Sequence, residues 1–374
     1  MKPFHCHPSF SSVICNFTPN WFALNMGTGI TALCIGVLPW TTPVLHAFGC
    51  GLWLLNMALF IFFAALWILN VVCHPQAQLK TLNHSTMPFF LGCMAMGMTT
   101  VVNGFIVFGL PLWGIAMIKI AEVLWYINSF ISISLILVVS TFMFSKHIHT
   151  LKSMTAVWLL PFVAAEVSAS SGGIIAAHLE PNHGYPMLIL SYMLWGIALP
   201  LAFSIIVILF QRLSIHKLPV KELGATMWLP LGPISMGAFG FLTLGNAAEH
   251  LMSEGFHPSW LSVLHPVGMM GAVILLGFSF WIAAMALITT LQYIVKGLPF
   301  NLGFWGFTFP LGVYAIANLT LGTELHLFAF KLYGTFLTAA LSAIWLWVFL
   351  KTLPGLYKGS LIKNPALLEA IEQA

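Results

Sequence analysis

Trp305-Gly306-Phe307-Thr308-Phe309-Pro310-Leu311-Gly312 sets a proline and an aromatic run in the middle of an apolar segment, approximately 300–319. In a soluble protein this stretch would be a broken core helix. In a membrane it is a kinked spanning helix that presents Phe309 to something other than lipid. Composition decides between the two. The chain is 60% hydrophobic and only 6% charged, with mean hydropathy +0.97. Soluble domains carry about 25% charged residues, so a water-facing surface cannot be built from this sequence. An all-α polytopic membrane protein is the class that fits.

A spanning helix needs about 20 apolar residues. Ten such segments are read at approximately 20–38, 46–71, 88–109, 115–143, 155–177, 187–210, 225–248, 261–293, 300–319 and 325–350. The organisation expected is a short tail over 1–19, a ten-helix domain over 20–350 and a second tail over 351–374. The N-terminus has no signal-peptide pattern. Basic residues segregate cleanly. Lys2, Lys80, Lys146, Lys152, Arg212, Lys217, Lys221 and Lys296 fall on the side of the N-terminus, with Lys351, Lys358 and Lys363 in the C-terminal tail. The opposite loops and their edges carry Glu180, Glu249, Glu254 and Glu324. Positive charge marks the cytoplasmic face, so both termini are expected there, in a multi-pass protein of the plasma (inner) membrane.

The odd and even spans differ in kind. The odd spans hold 16 glycines in 108 residues and the even spans 7 in 138. Small residues let helix backbones approach closely, which makes the odd spans an inner set and the longer even spans an outer, lipid-facing ring. The inner spans also repeat. Pro19 opens the first, which continues Met26-Gly27-Thr28-Gly29, and Pro88 opens the third, which continues Met96-Gly97-Met98-Thr99. Pro-Leu-Gly recurs at Pro230-Leu231-Gly232 and Pro310-Leu311-Gly312. Five helical hairpins, each an inner helix followed by an outer one, summarise the pattern.

The inner spans carry hydroxyl and amide side chains. Asn25, Thr28, Thr99, Asn103, Ser168, Ser171, Ser235 and Thr308 are the candidate pore lining, a polar surface that solvates an ion without fixed charge. The competing reading is that such groups hydrogen-bond between helices. Glu166 stands near the midpoint of the fifth span, where a carboxylate is costly and functional by default. It is a candidate for proton coupling, for pairing with a lysine, or for a neutral acid bonded between helices. Lys119 and Glu122, three apart near the end of the fourth span, read as a local pair.

Other classes find little support. No histidine lies near the midplane of a span, so axial ligands for a membrane-embedded electron-transfer subunit are wanting. Phosphate loops, nucleophile elbows and H-E-x-x-H are absent, so no enzyme, cofactor or nucleic-acid partner is expected. The six cysteines form no C-x-x-C pair and read as small buried hydrophobes. His5-Cys6-His7 is the one local metal-ligand cluster, on a tail, and no metal is assigned.

Four stretches together resemble a known family: Phe22-Ala23-Leu24-Asn25-Met26-Gly27-Thr28-Gly29, Trp158-Leu159-Leu160-Pro161 with Ser171-Gly172-Gly173, Leu229-Pro230-Leu231-Gly232-Pro233, and the segment around Phe309. In order and span they are similar to the tellurite-resistance/dicarboxylate transporters, which include slow anion channels, malate permeases and sulfite efflux pumps. The resemblance implies five hairpins in quasi-five-fold symmetry around a pore in each protomer of a homotrimer. It implies that Phe309, directly before Pro310, plugs the pore. It implies transport of sulfite, C4-dicarboxylates such as malate, or halide and nitrate. An acid such as Glu166 departs from a passive anion channel and leaves room for a proton-coupled carrier.

Overall fold

The computed structural model describes residues 6–372 and is helical throughout, with no strand among those residues. Ten helices make the body: α1 Phe22–Gly36, α2 Pro43–Cys73, α3 Leu91–Gly104, α4 Ala116–Ser145, α5 Leu160–Ala176, α6 Pro181–His216, α7 Leu231–Ser253, α8 Leu264–Val295, α9 Thr308–Glu324 and α10 Phe328–Lys358. Among the described residues, nine helical stretches, those containing α2 to α10, are long and apolar enough to cross a membrane. The remaining one, α1, has only 15 residues and follows the short turn Pro19–Trp21.

Every odd-numbered helix begins in the same way. Short 3-10 segments precede all five: Pro19–Trp21, Met87–Phe90, Ala156–Leu159 and Leu302–Phe307 run directly into α1, α3, α5 and α9, and Lys221–Trp228 reaches α7 through Leu229 and Pro230. This relocates the break expected at Pro310. The proline sits in the first turn of α9, where its missing N–H would have had no intrahelical partner. The 3-10 turn passes into α9 at Phe307, and α9 itself continues without interruption to Glu324.

The odd helices are the inner set. Packing runs from α1 to α3, α5, α7 and α9, and α9 returns to α1, closing a ring. Over an apolar 18-residue length of the stretches containing α3, α5, α7 and α9, 78–94% of residues are buried, against 28–39% over the same length of the even helices. Glycine is what permits this closeness. A Cβ on Gly92 would stand 2.2 Å from the Leu160 carbonyl oxygen, and one on Gly173 2.7 Å from the Thr243 backbone.

Each even helix packs on the inner helix that precedes it. Four of the five also brace the next inner helix with an indole. Trp53 of α2 donates to the Val101 carbonyl, Trp125 of α4 to the Ser168 carbonyl, Trp195 of α6 to the Gly237 carbonyl, and Trp345 of α10 to the Thr28 hydroxyl. Helix α8 makes no such bond to α9. Its Ser279 is turned back to Ser235 of α7 at 3.0 Å.

Both chain ends are more structured than free tails. Helix Phe10–Asn16 buries Val13 and Ile14, and the following Phe17 lies against Phe63 of α2. At the other end α10 continues through Lys351 to Lys358, and helix Pro365–Glu372 docks on helix Pro75–Asn83. There Asn364 donates to Thr81 Oγ1 at 2.9 Å and His84 pairs with Glu369 at 3.2 Å.

Candidate functional site

Two cavities lie end to end within the ring. Both are lined by all five inner helices or the turns that lead into them. The first surrounds the helix starts and is nearly apolar, walled by residues such as Met26, Cys93, Val163 and Pro233. The second surrounds the later turns and mixes apolar walls with Thr99, Thr100, Asn103, Ser170, Thr243 and Thr320. Phe309 lines both, and is only 2% exposed. It is therefore a shared wall of the two cavities. Pro310 lines the first.

The candidate pore-lining residues divide into two groups. Thr99 and Asn103 line the second cavity. Asn25, Thr28, Ser168, Ser235 and Thr308 line neither. They occupy the flanks of the inner helices, where a buried polar group needs a protein partner. Asn25 donates to Asn56 of α2, Thr28 accepts from Trp345, and Ser168 joins Asn128 and Ser132 of α4. Ser235 meets Ser279, and Thr308 donates to the Trp305 carbonyl. For the first four, interhelical hydrogen bonding is what the structure displays, whereas Thr308 bonds back to its own leading turn.

Ser171 has an intermediate role. Its hydroxyl donates to Asn103 Oδ1. That bond fixes the amide so that its Nδ2 carries the N–H pair, and no hydrogen bond engages Nδ2. Asn103 thus brings a fixed donor group to the second cavity. Thr99 contributes differently, since its Oγ1 accepts from Asn128 and donates to the Ala95 carbonyl.

Glu166 lines neither cavity. It is fully buried on α5, and neither Oε1 nor Oε2 has a hydrogen-bond partner. Oε1 lies 3.1 Å from where a Cβ on Gly237 would stand, beside Leu199 and Leu275. One turn later, Ser170 returns a hydrogen bond to the Glu166 carbonyl and lines the second cavity. The carboxyl itself lies off the path, beside Gly237 of α7 and near Leu199 of α6 and Leu275 of α8. Lys119 and Glu122 do pair, at 2.9 Å, and His183 joins the same carboxylate at 3.0 Å.

Among the described residues no three histidine, cysteine or glutamate side chains could share a metal ion. His5 lies outside those residues. Cys6 is exposed, and His7 bonds to Ser12 and to the Gly359 carbonyl.

Sequence reasoning missed the four bracing tryptophans and the short turns before each inner helix. Both had a signal. Each bracing tryptophan stands inside an even span, where an indole N–H in lipid would lack a partner. The proline that opens or closely follows each turn was visible too.

An all-helical membrane protein with paired internal cavities belongs with transport proteins rather than enzymes. The chain is a member of the voltage-dependent anion channel family, whose model matches residues 16–353. It is 36% identical over 344 residues to a sulfite efflux pump of Arthroderma otae, covering 91% of this chain and 90% of that one. An uncharacterized transporter of Methanocaldococcus jannaschii is 28% identical over 356 residues, covering 94% and 98%. The malic acid transport protein of Schizosaccharomyces pombe is 24% identical over 359 residues, covering 91% and 78%. The family resemblance read from the four motifs is borne out.

Proposed function

We propose that this protein conducts small anions, sulfite foremost, along the axis of the inner ring, and that Phe309 is the gate. The observation that carries the reading is the position of one phenylalanine as a shared wall of two cavities. A hydrophobic constriction of this kind blocks a hydrated ion until the ring moves. Beyond it, the Asn103 amide supplies N–H donors without a fixed charge. The starts of five inner helices surround the first cavity, and their dipoles favour an anion there. Sulfite is preferred over malate because the 36% identical relative is a sulfite efflux pump and the malate relative is more distant.

In this reading α1 with its leading turn is the tenth span, the basic loops face the cytoplasm, and both termini lie there. The assembly is a homotrimer in the plasma membrane with one path per protomer. A second reading, a proton-coupled carrier, is favoured by one observation: the buried, unpartnered carboxyl of Glu166 beside the Ser170 turn.

The deciding experiment is a flux panel in liposomes with sulfite, malate, nitrate and chloride, each with and without a pH gradient. Sulfite is expected to move fastest. Anion movement against its own gradient, driven by the pH difference, would select the carrier. Failure of every anion to move would sink both readings.

A further inference from the structure

A third apolar cavity opens away from the axis, between the two outer helices α8 and α10. It lies where the pattern of indole braces is interrupted, since α8 sends no tryptophan to α9. Its floor is the gate segment itself. Along residues 302–311 the chain alternates between two faces. Gly303, Trp305, Gly306 and Phe309 line the axial cavity, whereas Phe304, Phe307 and Leu311 line the lateral one. One short turn therefore separates the lateral cavity from the path, and Phe309 is two residues from either side of it.

The walls are a hydrocarbon match. Leu287 and Ile294 of α8 face Ala340, Ile344 and Trp347 of α10. The end near the 296–301 loop is basic. Lys296 directly precedes the lining residue Gly297, and Lys351 follows Trp347 by one helical turn on the same face of α10. Both lysines are exposed, and neither has an ion pair or side-chain hydrogen bond. An acyl-chain groove that ends in two unpaired cations is complementary to one molecule with a tail and a phosphate.

We propose that the α8–α10 groove binds an anionic phospholipid of the cytoplasmic leaflet, its acyl chain against Phe304, Phe307 and Leu311 and its phosphate on Lys296 and Lys351. The leaflet assignment rests on the orientation given under the proposed function. The bound chain presses on the back of the turn that carries the gate, so lipid composition sets how readily the gate opens.

Delipidated protein in detergent is titrated with phosphatidylglycerol or phosphatidylcholine, and bound lipid is counted by native mass spectrometry. One phosphatidylglycerol per protomer is expected to be retained in preference to phosphatidylcholine. The double variant Lys296→Gln/Lys351→Gln should weaken phosphatidylglycerol retention by roughly twenty-fivefold, about fivefold for each lysine, and leave phosphatidylcholine unchanged. Ala340→Trp, which fills the groove without touching either lysine, should abolish retention of both. Equal retention in wild type and both variants overturns the site. So does disulfide cross-linking of two copies through a cysteine placed at position 340, which would make the groove an interface between protomers. Flux in vesicles of rising phosphatidylglycerol content should change severalfold for wild type and stay flat for the lysine pair. A flat wild-type response overturns the coupling to the gate. Retention that follows these expectations with no flux in any vesicle would keep the lipid site and remove the transport reading.

Discussion

The Trp345 indole donates to the Thr28 hydroxyl at 3.0 Å, joining residues 317 positions apart. This bond ties the last outer helix to the first inner one, where α9 returns to α1. Thr28→Val leaves a buried indole N–H with no partner, whereas Trp345→Phe removes donor and bond together. Hydrogen bonds between helices in membranes are worth about 0.6–2 kcal/mol, and an orphaned donor costs more than a deleted pair. Thermal unfolding in detergent should therefore show a lower midpoint for Thr28→Val than a loss of one hydrogen bond alone explains. A midpoint equal to that of the wild type would mean that packing alone holds these two helices together.

Phe309 is the shared wall of the two axial cavities. Phe309→Ala should join them and raise anion flux in liposomes by about tenfold or more, as removal of a hydrophobic constriction does. Phe309→Leu should fall between alanine and wild type, since it keeps part of the obstruction. Unchanged sulfite, chloride and nitrate flux in both variants would exclude Phe309 as the gate.

Much of this was legible in the sequence, for identifiable reasons. The glycine bias separates inner from outer helices because only small residues allow the approach seen between Gly92 and Leu160. The sequence could not tell which flank of an inner helix faces the axis. Thr99 and Thr28 are the same residue type in similar runs, yet one lines a cavity and the other takes a bond from Trp345. That difference depends on where the neighbouring outer helix offers a partner, which is a tertiary fact. Pro310 was legible as a punctuation mark, but its place in the first turn of α9 was not. A proline marks the end of a 3-10 turn and a kinked helix equally well.

Asn103 lines the second cavity, and its amide oxygen is held by the Ser171 hydroxyl. Asn103→Leu removes the free Nδ2 donors while keeping the volume. Hydrogen bonds to charged groups contribute about 1.5–3 kcal/mol, so sulfite flux should fall roughly tenfold or more. Ser171→Ala should have a milder effect, because the amide stays in place but can turn over. If both variants carry sulfite at the wild-type rate, the anion does not rely on this amide.

Glu166 is a buried carboxyl without a partner, next to the turn that carries Ser170 into the second cavity. Glu166→Gln keeps its shape and removes its proton exchange. If the protein couples anions to protons, the variant should lose the response of flux to an imposed pH gradient while still folding. Superimposable pH profiles for the two proteins would reduce Glu166 to a packing residue.

His149 offers a pH test outside the membrane-spanning helices. Its ring meets Trp158 edge-on at 4.7 Å and lies 6.0 Å from Phe89, in the turns that lead into α5 and α3. Its Nε2 is buried with no partner. Burial holds the imidazole below its ordinary value of 6.5, and the charge of His147 pushes the same way. The unfolded chain therefore binds this proton more readily than the folded one. The neutral ring's contribution to stability is fully present above about pH 6.5 and is lost as the pH falls below it. The melting midpoint in detergent should be lower at acidic pH than at neutral pH. His149→Phe, which keeps the aromatic contact with Trp158 and cannot be protonated, should flatten that dependence. His147→Ala should flatten it in part, by removing the second positive charge. An acid-side slope that is the same in His149→Phe and wild type would show that other groups set the response.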